Sequence, residues 1–334
     1  MAVTRGRTKS VTMADVAEAC GLAISTVSRA LKNPDRVSES TRDLVLRTAR
    51  ELGYGQSPRP ADVRDPGNSI ALMLPNLANP YVLDLIRGSQ GQAQAAGYHY
   101  QLVNFMESVQ LEADFLRALS SAAGGIVLSS PRSANAVLQE AAGKVPLVAI
   151  NRAVPGVPCV VVDSSAGLAN AVEHLAGLRH TRIAYVHGPP TSWSDQYRFR
   201  AIRAAVNRHG MSCAELGPFY PSLQTGSAAA DAVLLSGATA AIFFNDVLAL
   251  GALTRFADRD VAVPGDISVI GCDDVFGTTF SSPPLTTVTA PGEIIGRAAT
   301  DVLITNMTGT TPVQKVERFT AHLTLRQTTG PARS

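Results

Sequence analysis

The sequence predicts an α/β protein with a small helical head, residues 1–55, and a larger body of two doubly wound lobes. Two observations lead to this fold class. The first fifty residues contain residue patterns typical of helix starts and helix ends. From residue 69 onward, short apolar runs alternate with helical stretches. With 334 residues, of which 46% are hydrophobic, the chain can bury a core in more than one domain.

Three short helices are predicted in the head. Thr12 opens the first helix in a capping pattern, and Gly21 ends it because glycine adopts the left-handed conformation without strain. The second helix fits residues 24–31 and stops at Asn33, which precedes a proline, and Ser38 caps the third. The tight glycine turn between the first two helices predicts a helix-turn-helix.

The second of these helices has an outward face of small polar side chains. Val27 and Leu31 stand four residues apart and point inward. The side chains left outside are those of Ile24, Ser25, Thr26, Ser28 and Arg29. Hydroxyl groups reach phosphates and an arginine can grip guanine with two donors, so this face fits the major groove of DNA. The alternative is a helical bundle with a solvated Ser/Thr face, although Ser and Thr are poor helix formers.

The charge of the chain is unevenly distributed. The formal net charge is only +2, but residues 1–64 hold eleven Lys and Arg against seven acidic residues. The remaining residues hold 18 basic against 20 acidic side chains. A basic head on a faintly acidic body suggests a module that binds a polyanion, and chance combined with a basic tail is the alternative.

Several classes of protein are disfavoured by what the sequence lacks. No apolar stretch approaches the roughly 18 residues of a membrane span, and no apolar segment of a secretory signal follows the first basic residues. The four cysteines are scattered without a paired motif. We therefore expect a cytoplasmic protein that has no membrane partner, no cofactor and no metal.

The apolar runs of the body predict strands that are buried on both faces, as in parallel sheets. These runs are residues 70–74, 101–103, 125–128, 145–150, 182–186, 241–244 and 267–270, with helices such as 82–96 and 166–178 between them. The length of the body and a change in its character near Val160 predict two lobes.

Polar residues cluster directly after these strands. Ligands of open parallel sheets bind beyond the carboxyl ends of the strands, so two facing lobes would line one cleft. The alternative is that these residues cap the following helices and turns. The candidates at strand ends include Asn104, Ser129, Asn151, Asn245 and Asp273.

Three further side chains are candidates for contacts to a ligand. Arg198 offers a rigid fork of donors that suits paired hydroxyl groups or a carboxylate. Tyr81 and Trp193 could stack on a sugar or base. For Trp193, the only tryptophan, an aromatic at a surface or interface is the alternative.

Residues 56–68 are rich in proline, glycine and polar residues, which predicts a linker. Pro58 and Pro60 could precede a short helix that begins near Ala61. Pro60 disfavours helix at Arg59, so an extended polyproline-like spacer is the alternative.

Several segments of the chain resemble the lactose-repressor (LacI/GalR) family of bacterial transcription regulators. In the head these are residues 11–17, the run Thr-Val-Ser-Arg-Ala-Leu at 26–31, and Glu-Leu-Gly-Tyr at 51–54. In the body, Asn79-Pro80-Tyr81, Phe244-Asn245-Asp246 and residues 269–274 and 283–288 match in order. The resemblance covers about residues 11–327, and it departs at Ala23, where the family usually has serine, and at Ala201, where glycine is common.

The resemblance implies which residues touch DNA and which touch a small effector. It places Ile24, Ser25 and Arg29 at base-reading positions and Val63 nearest to the family's minor-groove side chain. The implied phosphate contacts are Thr12, Thr26, Ser28 and Asn33, and the implied effector contacts are Tyr81, Arg198, Asn245 and Asp273.

It also implies the arrangement of the body, a periplasmic-binding-protein-like core at 69–331. The first lobe would hold about 69–160 plus 290–320, and the second about 161–289 plus 321–331. The chain would cross between the lobes near 160, 290 and 320.

The implied function is that of a transcription repressor controlled by a small molecule. The effector is expected to be a sugar or sugar derivative, and a homodimer, with no tetramer-forming tail, would read a palindromic operator. No motif of a hydrolase, nucleotide-binding loop or zinc enzyme occurs, so no catalytic residue is predicted. The alternatives are a purine-type regulator that needs a corepressor, a solute-binding protein and a carbohydrate-modifying enzyme.

Overall fold

The computed structural model describes residues 13–32, 37–52, 66–309 and 315–333. The chain divides into two compact units, residues 1–64 and 65–334, which we call the headpiece and the core. Three residues expected to contact DNA, Thr12, Asn33 and Val63, lie outside the described residues, as does most of the expected linker.

The headpiece contains the three predicted helices, α1 (Met13–Cys20), α2 (Ile24–Lys32) and α3 (Glu39–Leu52). Each helix packs against the other two, and they enclose a small core of Val16, Val27 and Val45, none of which is exposed. Gly21 has a φ of 63° at the end of α1, which allows the tight turn into α2.

The starts of α2 and α3 differ in how their first amide groups are satisfied. The carbonyl of Ala23 accepts hydrogen bonds from the amides of Thr26 and Val27, and alanine offers no side-chain acceptor. At α3, Ser38 Oγ accepts a hydrogen bond of 3.3 Å from the amide of Thr41, as the sequence predicts. The helix that carries the candidate DNA contacts is therefore the less well capped of the two.

The core contains twelve strands and eight helices among the described residues. The strands are β1 (Ser69–Leu74), β2 (His99–Asn104), β3 (Gly125–Ser129), β4 (Leu147–Ile150), β5 (Cys159–Asp163), β6 (Arg182–Val186), β7 (Ser212–Leu216), β8 (Ala240–Phe243), β9 (Ser268–Asp273), β10 (Thr286–Thr289), β11 (Val316–Thr320) and β12 (His322–Thr324). The helices are α4 (Tyr81–Ala95), α5 (Val109–Leu119), α6 (Asn135–Ala142), α7 (Ser165–Gly177), α8 (Trp193–Arg208), α9 (Leu223–Ser236), α10 (Asp246–Asp258) and α11 (Gly292–Thr308). A single turn of 3-10 helix, Pro66–Asn68, precedes β1.

The strands form two six-stranded sheets, which define two lobes. Lobe 1 has the strand order β11-β5-β4-β3-β1-β2, and all its pairs are parallel. Lobe 2 has the order β12-β10-β9-β8-β6-β7, in which only β12 runs antiparallel to its neighbour. The central strands β1, β3, β4, β8 and β9 are buried along their whole length, because helices cover both faces. The doubly wound α/β fold class is confirmed.

The chain passes between the lobes at three places. It leaves lobe 1 after β5, because α7 packs against α8 and β12 of lobe 2. It returns after β10, because α11 packs along α4 of lobe 1, where a side chain at Gly88 would overlap the carbonyl of Glu293. It passes again to lobe 2 between β11 and β12, at Ala321. Each lobe is thus assembled from segments that are distant in sequence.

The last residues of the chain are bound along lobe 2. Thr328 bonds through its backbone and side chain to Val269, and the amide of Gly330 donates to Ser268 Oγ. His180, almost fully buried, contacts the carbonyl of Gly330 through Nε2 at 3.1 Å and Thr239 Oγ1 through Nδ1 at 2.7 Å. None of the described helices has both the length and the apolar character to cross a bilayer.

Acid is expected to loosen this C-terminal segment. Burial lowers the pKa of His180 from its ordinary value, so the folded state favours the neutral ring. The neutral ring makes its full contribution to the free energy of unfolding above pH about 6.5, the ordinary pKa of histidine. That contribution is lost as the pH falls below this value. The protection of the Gly330 amide, taken relative to its intrinsic exchange rate at each pH, should fall on acidification more in the wild type than in His180→Gln, whose amide can donate but does not titrate. An equal fall in both would assign the effect to other groups.

Candidate functional site

The carboxyl ends of the strands of both lobes face a common cleft. The cleft holds about 480 Å³ of space, part of it open to solvent. Lobe 1 lines it with Pro75, Asn79, Tyr81, Val82, Glu107, Ser129, Ser130, Arg132 and Asn151, and lobe 2 with Ser192, Ser194, Arg198, Pro221, Phe244 and Asp273. Most of these side chains are polar, so the cleft is suited to a small hydrogen-bonding molecule.

The loops around this cleft have unusual backbone conformations. Eight described residues other than glycine have positive φ. Six of them lie at the carboxyl end of a strand or within three residues after it: Met106, Glu107, Ser130, Asn151, Asp273 and Asp274. Such conformations cost about 1–3 kcal/mol each and persist where the surrounding structure enforces them, commonly at functional sites. The loops that hold the lining residues are therefore preorganised.

Arg198 and Asp273 form a buried ion pair on the lobe 2 wall. Arg198 Nη2 donates to Asp273 Oδ1 at 2.5 Å, and Nη1 donates to the carbonyl oxygen of Phe244. The guanidinium also lies 5.3 Å from the centre of the Phe244 ring. Burial opposes the charge, but the carboxylate of Asp273 outweighs it and raises the pKa of Arg198 above its ordinary value. Burial raises the pKa of the Asp273 carboxyl, and the guanidinium of Arg198 opposes that shift. Arg198 therefore faces the cleft as a charged group beside its acceptor Asp273.

A buried carboxylate at the start of α8 sets the position of Arg198. Ser192 caps this helix, because its Oγ accepts a hydrogen bond of 3.2 Å from the amide of Asp195. The Asp195 carboxylate accepts hydrogen bonds from Tyr185 OH at 3.0 Å and from the amide of Gly188 at 2.9 Å. These bonds fix the first turn of α8 against β6, and Arg198 follows one turn later.

Tyr81 and Asn151 lie together on the lobe 1 wall. Asn151 Nδ2 donates to Tyr81 OH at 3.4 Å, while Asn151 Oδ1 is buried without a hydrogen-bond partner. Burial, helped by the nearby Asp273 carboxylate, raises the pKa of Tyr81 above its ordinary value, so the phenol stays protonated. The unpartnered amide oxygen is an acceptor that a ligand hydroxyl could satisfy.

Trp193 belongs to lobe 2 by sequence but packs against the core of lobe 1. Its ring stacks on Tyr197 with 4.9 Å between ring centres. The pair lines a smaller cavity of about 220 Å³, which shares Asn151, Ser194 and Arg198 with the cleft. The structure therefore places Trp193 beside the cleft in a contact between lobes, rather than on the wall of the main cavity.

Two other candidates cap local structure. Asn104 Oδ1 accepts a hydrogen bond of 3.2 Å from the amide of Met106. Asn245 Oδ1 caps α10 through the amide of Leu248, and its Nδ2 is buried without a partner. Neither residue lies among those that line the cleft, whereas Ser129 does.

The sequence analysis missed an ion pair on the lobe 1 wall. Arg132 Nε donates to Glu107 Oε2 at 2.8 Å, and both side chains line the cleft. Arg132 stands three residues beyond the end of β3, so its position next to a predicted strand was the available signal. In the described part of the chain no group of acidic, His or Cys side chains is arranged to hold a metal ion.

The candidate DNA contacts on α2 differ in exposure. Ile24 is 54% exposed and Ser25 is exposed, while Thr26 and Ser28 are partly buried. Arg29 lies on this helix, but its side chain is outside the described structure. The first turn of α2 thus presents Ile24 and Ser25, the predicted pair of base-reading residues, at the surface.

A helix-turn-helix headpiece joined to a two-lobed core with a polar cleft defines the class of DNA-binding transcription regulators. Residues 12–57 match the bacterial regulatory proteins of the lacI family, and residues 172–329 match the periplasmic binding protein-like domain. The chain is 33% identical to the transcriptional repressor CytR of Escherichia coli K12 over 312 residues, 90% of this chain and 91% of CytR. The chain belongs to the lacI family.

Further relatives and solved structures agree with this assignment. The regulator DegA of Bacillus subtilis is 31% identical over 296 residues, 85% of this chain and 88% of DegA. The lac repressor dimer bound to operator and the anti-inducer ONPF has a TM-score of 0.73 at 25% identity, covering 96% of this chain and all of the other. CelR in complex with cellobiose has a TM-score of 0.70 at 26% identity, covering 95% and 99%. The relatives are regulators, so this chain is a transcription regulator and not an enzyme.

Proposed function

We propose that the chain is a repressor whose affinity for operator DNA is set by a sugar or sugar derivative bound in the cleft. The observation that carries the proposal is the buried Arg198–Asp273 pair facing Asn151, whose amide oxygen lacks a partner. The second carboxylate oxygen of Asp273 has no hydrogen bond to a described residue. Donors and acceptors set close together in this way suit a molecule with several hydroxyl groups. CelR, a protein of similar fold, is known in complex with cellobiose.

The headpiece is proposed to place α2 in the major groove of the operator. Ile24, Ser25 and Arg29 would contact bases, and Val63 the minor groove. The hydroxyl and amide groups of Thr12, Thr26, Ser28 and Asn33 would contact phosphates.

The start of α8 is proposed to connect the cleft with the relative position of the lobes. Ser194 Oγ donates to the carbonyl of Asn151 in lobe 1 at 3.2 Å. Tyr197 OH donates to Asp163 at 3.0 Å and accepts from Ser165 Oγ at 3.0 Å, where the chain crosses between lobes. A ligand held by Arg198 acts on the same helix, so its binding would bias how the lobes meet. Coupling of this kind is typically worth about 1–3 kcal/mol and is reciprocal.

The active form is proposed to be a homodimer on a palindromic operator, as two-fold symmetric proteins read two-fold sites. Lobe 2 has exposed apolar side chains that a second copy could cover. Phe276 and Phe280 are 79% and 74% exposed, with 5.3 Å between ring centres. Leu223 is also exposed, and it starts α9 where Gly251 allows α10 to approach closely. A patch of exposed aromatic and aliphatic side chains marks a protein–protein surface.

Operator binding and its dependence on the dimer can be tested with the full chain. A palindromic site selected from random DNA should bind with an affinity that falls about a thousandfold between about 50 and about 200 mM salt, because counterions are released. The double variant Phe276→Lys, Phe280→Lys should sediment as a monomer and bind this site much more weakly. The variant Leu235→Lys, at another exposed leucine on α9, is the matched control. Salt-independent binding, or a dimer that survives the double change, would contradict the proposal.

A further inference from the structure

A second arginine lines the cleft from lobe 1, and the proposed function has no role for it. Arg132 follows β3, and its backbone amide donates to Glu112 Oε2 at 2.7 Å. Its Nε donates to Glu107 Oε2 at 2.8 Å, and the side chains of Arg132 and Glu107 are 5% and 14% exposed. The guanidinium is therefore buried at the wall of the cleft and held from one edge.

The other edge of this guanidinium is unused. Arg132 Nη1 and Nη2 make no hydrogen bond to any residue that the structure describes, whereas Arg198 uses both of its terminal nitrogens. Arg152 likewise bonds to the carbonyls of Pro131 and Ser133 and to Asn135 Oδ1. The two terminal nitrogens are not among the described buried atoms that lack a partner, so this edge is open to the cleft and a ligand could accept hydrogen bonds from it. The free edge of Arg132 is thus a binding element of the cleft.

The charges around Arg132 favour an acceptor that is negatively charged. Arg152 lies beside Arg132 and holds both residues that flank it. The two nearby carboxylates, Glu107 and Glu112, stand at the start of α5, which is capped by Ser108. The two carboxylates balance the formal charge of the two arginines, and the positive end of the helix dipole adds a partial positive charge beside them. The Glu112 carboxylate is also fully engaged by the backbone amides of Arg132 and Ser133.

We propose that the effector carries an anionic oxygen group, a carboxylate or a phosphate, that Arg132 binds from lobe 1. The planar edge of a guanidinium matches two oxygens of either group. The opposite wall, with Arg198 and Asp273, binds hydroxyl groups of the same molecule. This inference rests on the proposed function, and it makes the effector a sugar acid or a sugar phosphate instead of a neutral sugar.

Matched ligand pairs test the proposal on the full chain. Calorimetric titrations would compare glucose with gluconate, glucuronate and glucose 6-phosphate, and ribose with ribose 5-phosphate. At least one anionic member should bind at least about tenfold more tightly than its neutral counterpart, since a hydrogen-bonded charge pair is worth that much. The sugar acids and the sugar phosphates are titrated separately, so the result identifies whether Arg132 binds a carboxylate or a phosphate.

Variants of Arg132 assign the effect to this residue. Arg132→Gln should weaken binding of the anionic member about 10- to 100-fold, and Arg132→Lys, which keeps the charge but loses the fork, should weaken it less. Arg117→Gln, at an exposed position on α5, is the control and should change nothing. Urea unfolding of each variant separates lost binding from misfolding.

Three results would overturn the inference. These are a neutral sugar that binds as tightly as its acid or phosphate, unchanged affinity in Arg132→Gln, and the failure of every anionic probe to bind at millimolar concentration. If a neutral sugar binds and Arg198→Met removes its binding, the proposed function stands and the inference about Arg132 alone is overturned.

Discussion

Arg198→Met is expected to abolish the response to effector and to destabilise the core by about 3–5 kcal/mol. The substitution leaves the carboxylate of Asp273 buried without its partner, and it removes the donor to the carbonyl of Phe244. Operator binding without effector should persist, because the headpiece is a separate compact unit. Urea unfolding and fluorescence anisotropy on operator DNA measure the two effects.

A double variant separates the stabilising role of this pair from its role in ligand binding. Arg198→Met combined with Asp273→Asn removes both charges, and replacing both members of a buried pair is often close to neutral. The double variant should therefore recover most of the lost stability but none of the effector response. A single variant with wild-type stability, or a double variant that still responds, would exclude the proposed role of the pair.

Val27→Asp is expected to unfold the headpiece and to abolish operator binding. Val27 is completely buried between the helices of this unit, where it packs with Val16 and Val45. Burying an unpaired carboxylate costs several kcal/mol, and a unit of this size has only about 3–5 kcal/mol to lose. The thermal transition of the core should be unchanged, because the core is a compact unit of its own.

Ala23→Ser is the matched variant, and it is expected to stabilise the headpiece where Val27→Asp unfolds it. A serine at the start of α2 could accept a hydrogen bond from an amide of the first turn, which typically adds about 1 kcal/mol. The melting temperature of the headpiece should rise, and operator affinity should be kept. Retained operator binding by Val27→Asp, or a loss of stability in Ala23→Ser, would contradict the structure of this unit.

The headpiece was predicted from the sequence almost to the residue. Helix α2 was expected at residues 24–31 and lies at Ile24–Lys32, and α1 ends before Gly21 as expected. Local signals suffice here because the caps, the glycine turn and the spacing of Val27 with its neighbours all act within a few residues. The outward face predicted for α2 is observed for Ile24 and Ser25, whereas Thr26 is partly buried.

The sheets were only partly predictable. The runs at 70–74 and 125–128 became β1 and β3, which are buried on both faces and so read as continuous apolar segments. The edge strands β7 and β11 were not predicted, because only one neighbour shields them and their residues are half exposed. Strand β5 is buried but was not predicted either, because its valines were interpreted as the boundary between the two lobes.

The sequence predicted that polar residues line a cleft, but it predicted the contacts between those residues less well. Asp273 lines it at the end of a parallel strand, and such ends meet at one edge of a sheet, whereas Arg198 reaches it from helix α8. The Glu107–Arg132 pair was missed, since it depends on how the loops after β2 and β3 approach each other. Asn104 matched the same pattern but caps a turn, which sequence spacing does not distinguish from lining a cleft.

The threading of the chain between the lobes has a consequence for biosynthesis. Strand β11 completes the sheet of lobe 1 beside β5, and β12 completes lobe 2 beside β10. At about 5–20 residues per second, the edge of β5 waits roughly 10–30 s on the ribosome before its partner is made. An unpaired parallel edge invites association with other chains. Because a few residues near the C-terminus cover β5 and β10, a prematurely terminated chain leaves these two buried strands as exposed edges, and we expect it to aggregate or to be degraded.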